Sequence, residues 1–252
     1  MDRLTYIGHA TTLLRLDGTS ILTDPMLRGW LGPLRRHGPP PEPDVPEISD
    51  LVLISHLHLD HLDLPSLRQL PPSTPLVVPR GAARWAVKGG AREVREIQLG
   101  ETISISDVDV KAVRATHDGY RRRHRGEPIE PLGYVITAGG RTVYFAGDTD
   151  LFPEMSDLGR IDVALLPVWG WGTTVGEGHL DPERAAKAVE RIRPRIAVPI
   201  HWGTLFPVGL RWLRPRFLTE PPLEFARLAN RLAPEVEVRV VEPGSEISLE
   251  SR

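Results

Sequence analysis

The segment 55–64, SHLHLDHLDL, limits what this chain can fold into more than any other feature. Three histidines and two aspartates follow directly after the apolar run 51–54, which predicts a buried strand. Bare charge at the end of a buried strand is costly. A metal ion removes that cost, because neutral imidazole and carboxylate are zinc ligands. The alternative, a polar loop without function, is less favoured because such ligand types rarely occur at this spacing.

Composition narrows the classes of partner and of site. The 252 residues are 40% hydrophobic, enough for a large core, and we expect a single domain over 1–252. The formal charge of -2 gives no field that would attract nucleic acid, so a small-molecule or lipid-like substrate is expected. The chain has no cysteine, which excludes a thiolate zinc site and a cysteine nucleophile. No leader-like segment and no transmembrane segment is recognisable, which favours a cytoplasmic protein. Oligomeric state stays open.

Short strand-like runs and helical patterns follow one another along the chain. Strands are predicted over 6–16, 20–23, 51–55, 76–78, 108–115, 134–137, 142–146 and 196–199. Helices are predicted over 65–70, 82–88, 182–192 and 223–232. Asp17-Gly18 and Gly139-Gly140 are typical of hairpin turns, and Asp181 followed by Pro182 is typical of a helix start.

Further ligand types follow three of the predicted strands. His117 comes after the strand 108–115, Asp148 after 142–146, and His201 after 196–199. Together with His56, His58, Asp60 and His61, they give a set of nitrogen and oxygen donors at strand ends. The sequence therefore predicts a site with more ligands than one turn supplies.

Four motifs carry a resemblance to a known family: YIGHATTLLRLDGTSILTDP, FAGDTD, HLDPERA and PIHWGTLF. With the pattern H-x-H-x-D-H, they resemble the metallo-β-lactamase superfamily. Within it, the chain is most similar to the branch of N-acyl-phosphatidylethanolamine phospholipase D and the ascorbate-phosphate lactonase-like hydrolases. The resemblance implies an α/β (α+β) fold, a four-layer αββα sandwich with metal ions at one edge of its sheets.

The same resemblance implies a ligand set and a mechanism. His56, His58 and His117 would bind one metal, Asp60, His61 and His201 the other, and Asp148 would bridge them. Two Zn(II) ions per chain are expected, with Mn or Fe possible. Two cations that share a water would generate a hydroxide, and Asp60 would orient it as a catalytic residue.

Two residues near the first strands have open roles. His9 is either a hydrogen-bonded core histidine or a residue that contacts the metal ligands without binding metal itself. Asp24, in Leu-Thr-Asp-Pro, either orients a ligand histidine or caps a turn.

Other residues are candidates for substrate contact. His179 precedes the helix start at Asp181, where anions are favoured, and we expect it to contact substrate and act in catalysis, with a local capping role as the alternative. Trp169 and Trp202 lie on loops after strands and would form apolar walls for substrate, with core packing as the alternative. The basic run 121–125 would either rim the site or form a solvated hairpin. The apolar and basic stretch 205–218 would make weak contact with a membrane surface or form a lid.

The function expected first is a dinuclear zinc hydrolase in which a metal-bridging hydroxide attacks a phosphodiester or phospholipid-like ester. A lactonase acting on a sugar or acyl lactone is the alternative. A mononuclear iron oxygenase, or a regulatory metal-binding protein without turnover, is the second alternative.

Overall fold

Two large sheets and one small sheet organise the computed structural model, which describes residues 1–121 and 126–250. The strands of the first sheet are β1 (Arg3–Gly8), β2 (Thr11–Leu16), β3 (Thr19–Thr23), β6 (Leu51–Leu53), β7 (Leu76–Pro79), β8 (Val94–Ile97) and β17 (Ser245–Ser248). They lie in the order β17-β1-β2-β3-β6-β7-β8.

The second sheet is built mostly from the following part of the chain. Its strands are β9 (Thr102–Ile105), β10 (Val108–Arg114), β11 (Leu132–Ala138), β12 (Arg141–Phe145), β13 (Val163–Pro167), β14 (Ile196–Ile200) and β16 (Glu237–Val238). They lie in the order β16-β14-β13-β12-β11-β10-β9. A small sheet contains β4 (Trp30–Leu31), β5 (Leu34–Arg36) and β15 (Leu205–Pro207) in the order β15-β5-β4.

Helices lie beside the sheets. They are α1 (Leu64–Leu67), α2 (Ala83–Lys88), α3 (Pro182–Ile192), α4 (Leu210–Leu213) and α5 (Glu220–Leu232), with 3₁₀ turns at Pro153–Asp157 and Pro215–Leu218. None of the helices within 1–121 and 126–250 is long and apolar enough to cross a membrane.

Alternation along the first sheet separates two hydrophobic clusters. Leu51, Leu53 and Val77 belong to the cluster that also contains residues of the second sheet, α3 and α5, whereas their neighbours Val52 and Val78 belong to the cluster that contains residues of α1 and α2. Successive strand residues point to opposite faces, so β1, β2, β3, β6 and β7 contribute residues to both clusters. The result is helices, sheet, sheet, helices, which confirms the predicted four-layer sandwich.

Most predicted elements form, with shifted ends. The Asp17-Gly18 and Gly139-Gly140 hairpins join β2 to β3 and β11 to β12, as predicted. Helix α3 has the predicted bounds, and the Asp181 side chain accepts a hydrogen bond from the Arg184 N–H at 2.8 Å. Helix α5 begins at Glu220 rather than 223, because two prolines are compatible with a first helical turn.

The prediction of one strand over 6–16 is wrong. The chain turns between β1 and β2, where Gly8 has a φ of 124° and His9 a φ of 60°. The register of the pair also shifts between Tyr6 and Gly8, as at a β-bulge. This turn leaves His9 at the carboxyl end of β1.

Strand direction explains why the ligand types gather. β1, β3 and β6 run in one direction in the first sheet, and β10, β12, β13 and β14 share a direction in the second. The carboxyl ends of each group therefore lie at one edge of their sheet. A hydrogen bond of 2.7 Å from the His201 N–H to the His9 carbonyl joins the two edges.

Candidate metal centre

Three histidines from both sheets form the first group of possible ligands. His56 and His58 follow β6, and His117 follows β10. One ring nitrogen from each lies within 4.8 Å of the others. His117 Nε2 lies 3.1 Å from His58 Nδ1, so these two nitrogens face each other. A cation placed among the three would receive three imidazole ligands.

A second group lies beside the first. Asp60 and His61 come from the loop after β6, and His201 comes from the end of β14. Together with His9, they offer ligand atoms within 4.8 Å of one another. His61 Nε2 and His201 Nε2 are 3.2 Å apart. Two bare lone pairs at that separation would repel, and a proton or a metal cation between them removes the repulsion.

Asp148, after β12, lies between the two groups. Its Oδ2 is 3.2 Å from His61 Nε2 and 4.0 Å from His117 Nε2. Its Oδ1 is 3.3 Å from His201 Nε2. One carboxylate thus reaches both groups of imidazoles.

The histidines are held by their other ring nitrogen. His61 Nδ1–H donates to Asp24 Oδ2 at 2.7 Å, His117 Nδ1–H to the Gly178 carbonyl at 2.7 Å, and His201 Nδ1–H to the Trp169 carbonyl at 2.9 Å. These acceptors assign the tautomers and leave each Nε2 lone pair directed into the site.

Burial keeps several of these rings neutral. It lowers the pKa of His117 to about 4 and that of His201 to about 3, and it lowers the pKa of His56 well below its usual range. Burial would also lower the pKa of His61, but the nearby carboxylates Asp148, Asp60 and Asp24 raise it instead. The carboxylates around His61 therefore stabilise positive charge at this position.

Unpartnered polar atoms test whether a metal fits. His56 Nε2 and Asp148 Oδ1 are buried without a hydrogen-bond partner in the part of the chain that the structure describes. Buried polar atoms are otherwise almost always paired, and both atoms point into the groups described above. Imidazole nitrogens and carboxylate oxygens suit zinc and also accept manganese or iron. The residues present therefore fit metal ions.

Comparison with known proteins now defines the family. Residues 19–202 match the family model described as the beta-lactamase superfamily domain. The chain belongs to the metallo-β-lactamase superfamily. The predicted family is confirmed.

Relatives of this superfamily member are named as hydrolases. A UPF0173 metal-dependent hydrolase of Methanopyrus kandleri is 35% identical over 250 residues, covering 96% of this chain and 97% of the relative. The N-acyl-phosphatidylethanolamine-hydrolyzing phospholipase D 1 of Caenorhabditis elegans is 29% identical over 241 residues, covering 84% of this chain and 67% of the relative.

Solved structures agree on the fold. Igni18, a metallo hydrolase from Ignicoccus hospitalis, has a TM-score of 0.73 at 27% identity, covering all of this chain and 99% of the other. An isothiocyanate hydrolase from Delia radicum gut bacteria has a TM-score of 0.75 at 19% identity, covering 99% of this chain and all of the other, and shows the fold alone. This superfamily member is a metal-dependent hydrolase of the metallo-β-lactamase fold.

The two residues with open roles both contact predicted ligands of the hydrolase. His9 is buried, its Nε2–H donates to Asp60 Oδ2 at 2.9 Å, and its ring centroid lies 3.8 Å from that of His201. Asp24 accepts from His61 and also from the Ser55 hydroxyl at 2.5 Å. Both residues therefore contact predicted ligands, and each also belongs to a group whose ligand atoms lie within 4.8 Å of one another.

The candidates for substrate contact in the hydrolase differ in position. His179 is partly exposed, and its Nε2 lies 3.7 Å from Asp148 Oδ2. Trp169 is half-buried and stacks on Phe217 with ring centroids 5.4 Å apart. Trp202 is 2% exposed, packs against Tyr6 and donates to the Pro199 carbonyl, so core packing accounts for it.

Two features of the hydrolase's site were not identifiable from motif spacing. The Ser55 hydroxyl accepts from His56 Nδ1–H at 2.9 Å and so continues the link to Asp24. Arg121 donates to the carbonyls of Leu57 and Leu62 at 2.6 and 2.7 Å, which braces the ligand loop from outside. The rest of the basic run, 122–125, lies outside the described residues. A small residue after a strand carries no distinctive sequence signal, and the basic run 121–125 did not indicate which of its arginines would contact the ligand loop.

Proposed function

We propose that this hydrolase binds two metal ions, zinc foremost, and cleaves a phosphodiester or phospholipid-like ester. The observation that carries the proposal is the position of Asp148 between two groups of imidazoles. When bound, two such ions lower the pKa of a shared water and stabilise negative charge that develops on the substrate. His56, His58 and His117 would hold one ion, and Asp60, His61 and His201 the other.

Other groups of the chain would handle the nucleophile and the substrate. Burial raises the pKa of Asp60, but His61 and the hydrogen bond from His9 outweigh burial and hold the pKa well below its usual range. Asp60 therefore stays a carboxylate that accepts a hydrogen bond from the attacking water and orients it. His179, open to solvent beside Asp148, would donate a hydrogen bond to an anionic oxygen of the substrate.

The substrate class rests on similarity and on charge. The Caenorhabditis elegans relative is named as hydrolysing N-acyl-phosphatidylethanolamine, and its similarity covers 84% of this chain. A phosphodiester carries the negative charge that His179 and two cations would stabilise, whereas a lactone is neutral in its ground state. Phosphodiesterase activity is therefore our first choice, and lactonase activity is the alternative.

Metal analysis tests the metal content first. Protein purified without added metal and analysed for elements should contain two metal equivalents per chain, mainly zinc. One iron and no zinc would contradict the proposal and favour an oxygenase. Two zincs without turnover on any ester would favour a regulatory metal-binding protein.

Substitution of His179 tests the substrate class. His179→Ala should lower kcat on bis-p-nitrophenyl phosphate by roughly a hundredfold, because one donor to the developing charge is removed. Metal content should stay at the wild-type level, and His37→Ala, outside both ligand groups, serves as the matched control. Hydrolysis of a lactone panel with no detectable phosphodiester cleavage would overturn our first choice.

A further inference from the structure

Exposed apolar side chains and arginines share one region of the surface. We call it the arginine–tryptophan surface and define it by Trp30, Arg35, Arg211, Trp212, Leu213 and Arg214. Trp212 and Leu213 are each 77% exposed, and Trp30 is 51% exposed. Large apolar side chains clustered in this way mark contact sites more often than single exposed ones do.

The small sheet brings the two parts of this surface together. β15 pairs with β5, and the Val208 N–H after β15 donates to the Pro33 carbonyl at 3.1 Å. Trp30 and Arg35 belong to the β4–β5 hairpin, and Trp212 follows β15 on α4. In each part a guanidinium covers the indole ring: Arg35 lies 5.5 Å from the Trp30 centroid, and Arg211 lies 4.6 Å from that of Trp212.

The charge of the surface has one sign. The segments 25–41 and 203–219 contain no aspartate or glutamate, although the whole chain carries a formal charge of -2. Within 1–121 and 126–250, Arg35, Arg211 and Arg214 have no carboxylate within ion-pair distance. Their positive charge is therefore available to a partner.

We propose that the arginine–tryptophan surface docks on an anionic lipid surface. Trp212 and Leu213 enter the headgroup region, and Arg35, Arg211 and Arg214 contact lipid phosphates. Indole rings suit the boundary between headgroups and acyl chains, and nearby basic side chains add electrostatic attraction to anionic lipid. A second copy of the chain fits less well, because a two-fold interface would bring the same arginines face to face.

The surface leads toward the metal centre. Phe217, on the 3₁₀ turn after α4, stacks on Trp169, whose carbonyl holds His201. In a lipid-bound molecule, Trp169 would therefore lie between the docked surface and the metal centre. Docking itself needs no turnover, so a binding measurement tests it separately from the proposed function.

Vesicle co-sedimentation tests the proposal with the full chain. The protein should bind vesicles of mixed phosphatidylglycerol and phosphatidylcholine more strongly than pure phosphatidylcholine, and less as salt increases. Trp212→Ser with Leu213→Ser should lower the partition coefficient by roughly tenfold or more. Arg211→Ser with Arg214→Ser should lower the partition coefficient by roughly 25-fold, since each basic residue contributes about a factor of five.

Matched control variants and a measurement of molecular mass distinguish lipid docking from misfolding and from dimerisation. Val87→Ser removes an exposed valine from α2, and Arg160→Ser removes an arginine that is exposed elsewhere, so both should bind vesicles as wild type does. Thermal melts should show that all variants fold. Wild-type protein that ignores anionic vesicles, or double variants that bind as wild type does, would overturn the proposal. So would light scattering that shows a wild-type dimer converted to monomer by Trp212→Ser with Leu213→Ser.

Discussion

Most histidines of the metal centre divide their two ring nitrogens between the protein and the site. A carbonyl, hydroxyl or carboxylate takes Nδ1–H of His56, His61, His117 and His201. His58 differs, since its Nδ1 faces His117 Nε2. Outer contacts of this kind fix ring orientation before a metal binds, and their loss typically costs ten- to a hundredfold in metal affinity.

Asp148→Ala is expected to abolish most activity. The change removes the carboxylate that reaches both groups of imidazoles, so turnover should fall by at least roughly a hundredfold and metal content should drop. Elemental analysis and esterase assays on the same preparation measure both. Asp157→Ala, on an exposed 3₁₀ turn, is the control. Wild-type turnover in Asp148→Ala would contradict a two-metal mechanism.

His9 variants separate orientation of Asp60 from simple packing. His9→Gln keeps an N–H donor near the Nε2 position, whereas His9→Phe keeps the ring without a donor. Competition titration should give a zinc affinity about ten- to a hundredfold lower for His9→Phe and close to wild type for His9→Gln. Equal affinities in both variants, with unchanged melting temperatures, would show that His9 only packs against His201.

The predicted ligands come together in the structure, but their supporting contacts were only partly predictable. A motif with fixed spacing indicates His56, His58, Asp60 and His61 because they share one turn. The contact of His9 with Asp60 depends on where β1 ends, which no local pattern states. Trp202 was predicted to contact substrate but packs in the core, because an exposed loop tryptophan and a buried one cannot be distinguished from the sequence.

The site residues lie at the ends of strands and in the turns that follow them, rather than within the strands. The turn after β1 places His9, and it works because Gly8 adopts a φ of 124° next to Thr204. Thr204 Oγ1 accepts from the His9 N–H at 3.0 Å, which joins this turn to the segment after His201.

Gly8→Ala should therefore affect both stability and the site. An added Cβ would lie 2.5 Å from Thr204 Oγ1, and a positive φ disfavours alanine, so unfolding should become easier by about 1–3 kcal/mol. Gly18→Ala is the matched control, because its φ is also positive but no atom lies within 4 Å of the added Cβ. Urea unfolding measures the stability, and zinc titration should show weaker binding for Gly8→Ala alone. Equal effects in both variants would contradict a role of this turn at the site.

Long, periodic elements were the predictable ones. Helix α3 has a capping aspartate, a first-turn proline and a regular apolar face, so its bounds follow from the sequence. The apolar run of β13 was not assigned, because a short run of this kind fits a strand or a buried helix equally. The small sheet was not predictable either, since β5 and β15 gain their structure only by pairing across a long sequence separation.

The whole molecule should lose stability in acid when metal is removed. His56, His117 and His201 have lowered pKa values, so below the usual histidine value near 6.5 the unfolded chain binds protons that the folded chain does not. The folded state is therefore not penalised above pH 6.5. It loses stability as the pH falls from 6.5 toward the pKa values of His117 and His201, about 4 and about 3. His61 has a raised pKa and the opposite sign, which offsets part of the loss.

Between pH 7.5 and 4.5, the free energy of unfolding of chelator-treated protein should therefore fall by an amount on the order of a few kcal/mol. Urea unfolding at a series of pH values measures it. His61→Gln removes the offsetting group, so its stability should fall more steeply with acid than that of wild type. A wild-type midpoint that stays constant or rises in acid would contradict the assignment of neutral buried histidines.

Pairing of β1 with β17 sets an order of events during synthesis. Arg3 lies opposite Ser248 in this pair. The outer edge of β1 can therefore be paired only after the ribosome has synthesised residues 245–248. His9 and His201 likewise meet only after β14 is made. A nascent chain stalled before residue 201 would hold six of the seven predicted ligands and lack the contact that closes the site. The last predicted ligand, and with it the hydrogen bond between the two sheet edges, therefore joins the site late in synthesis.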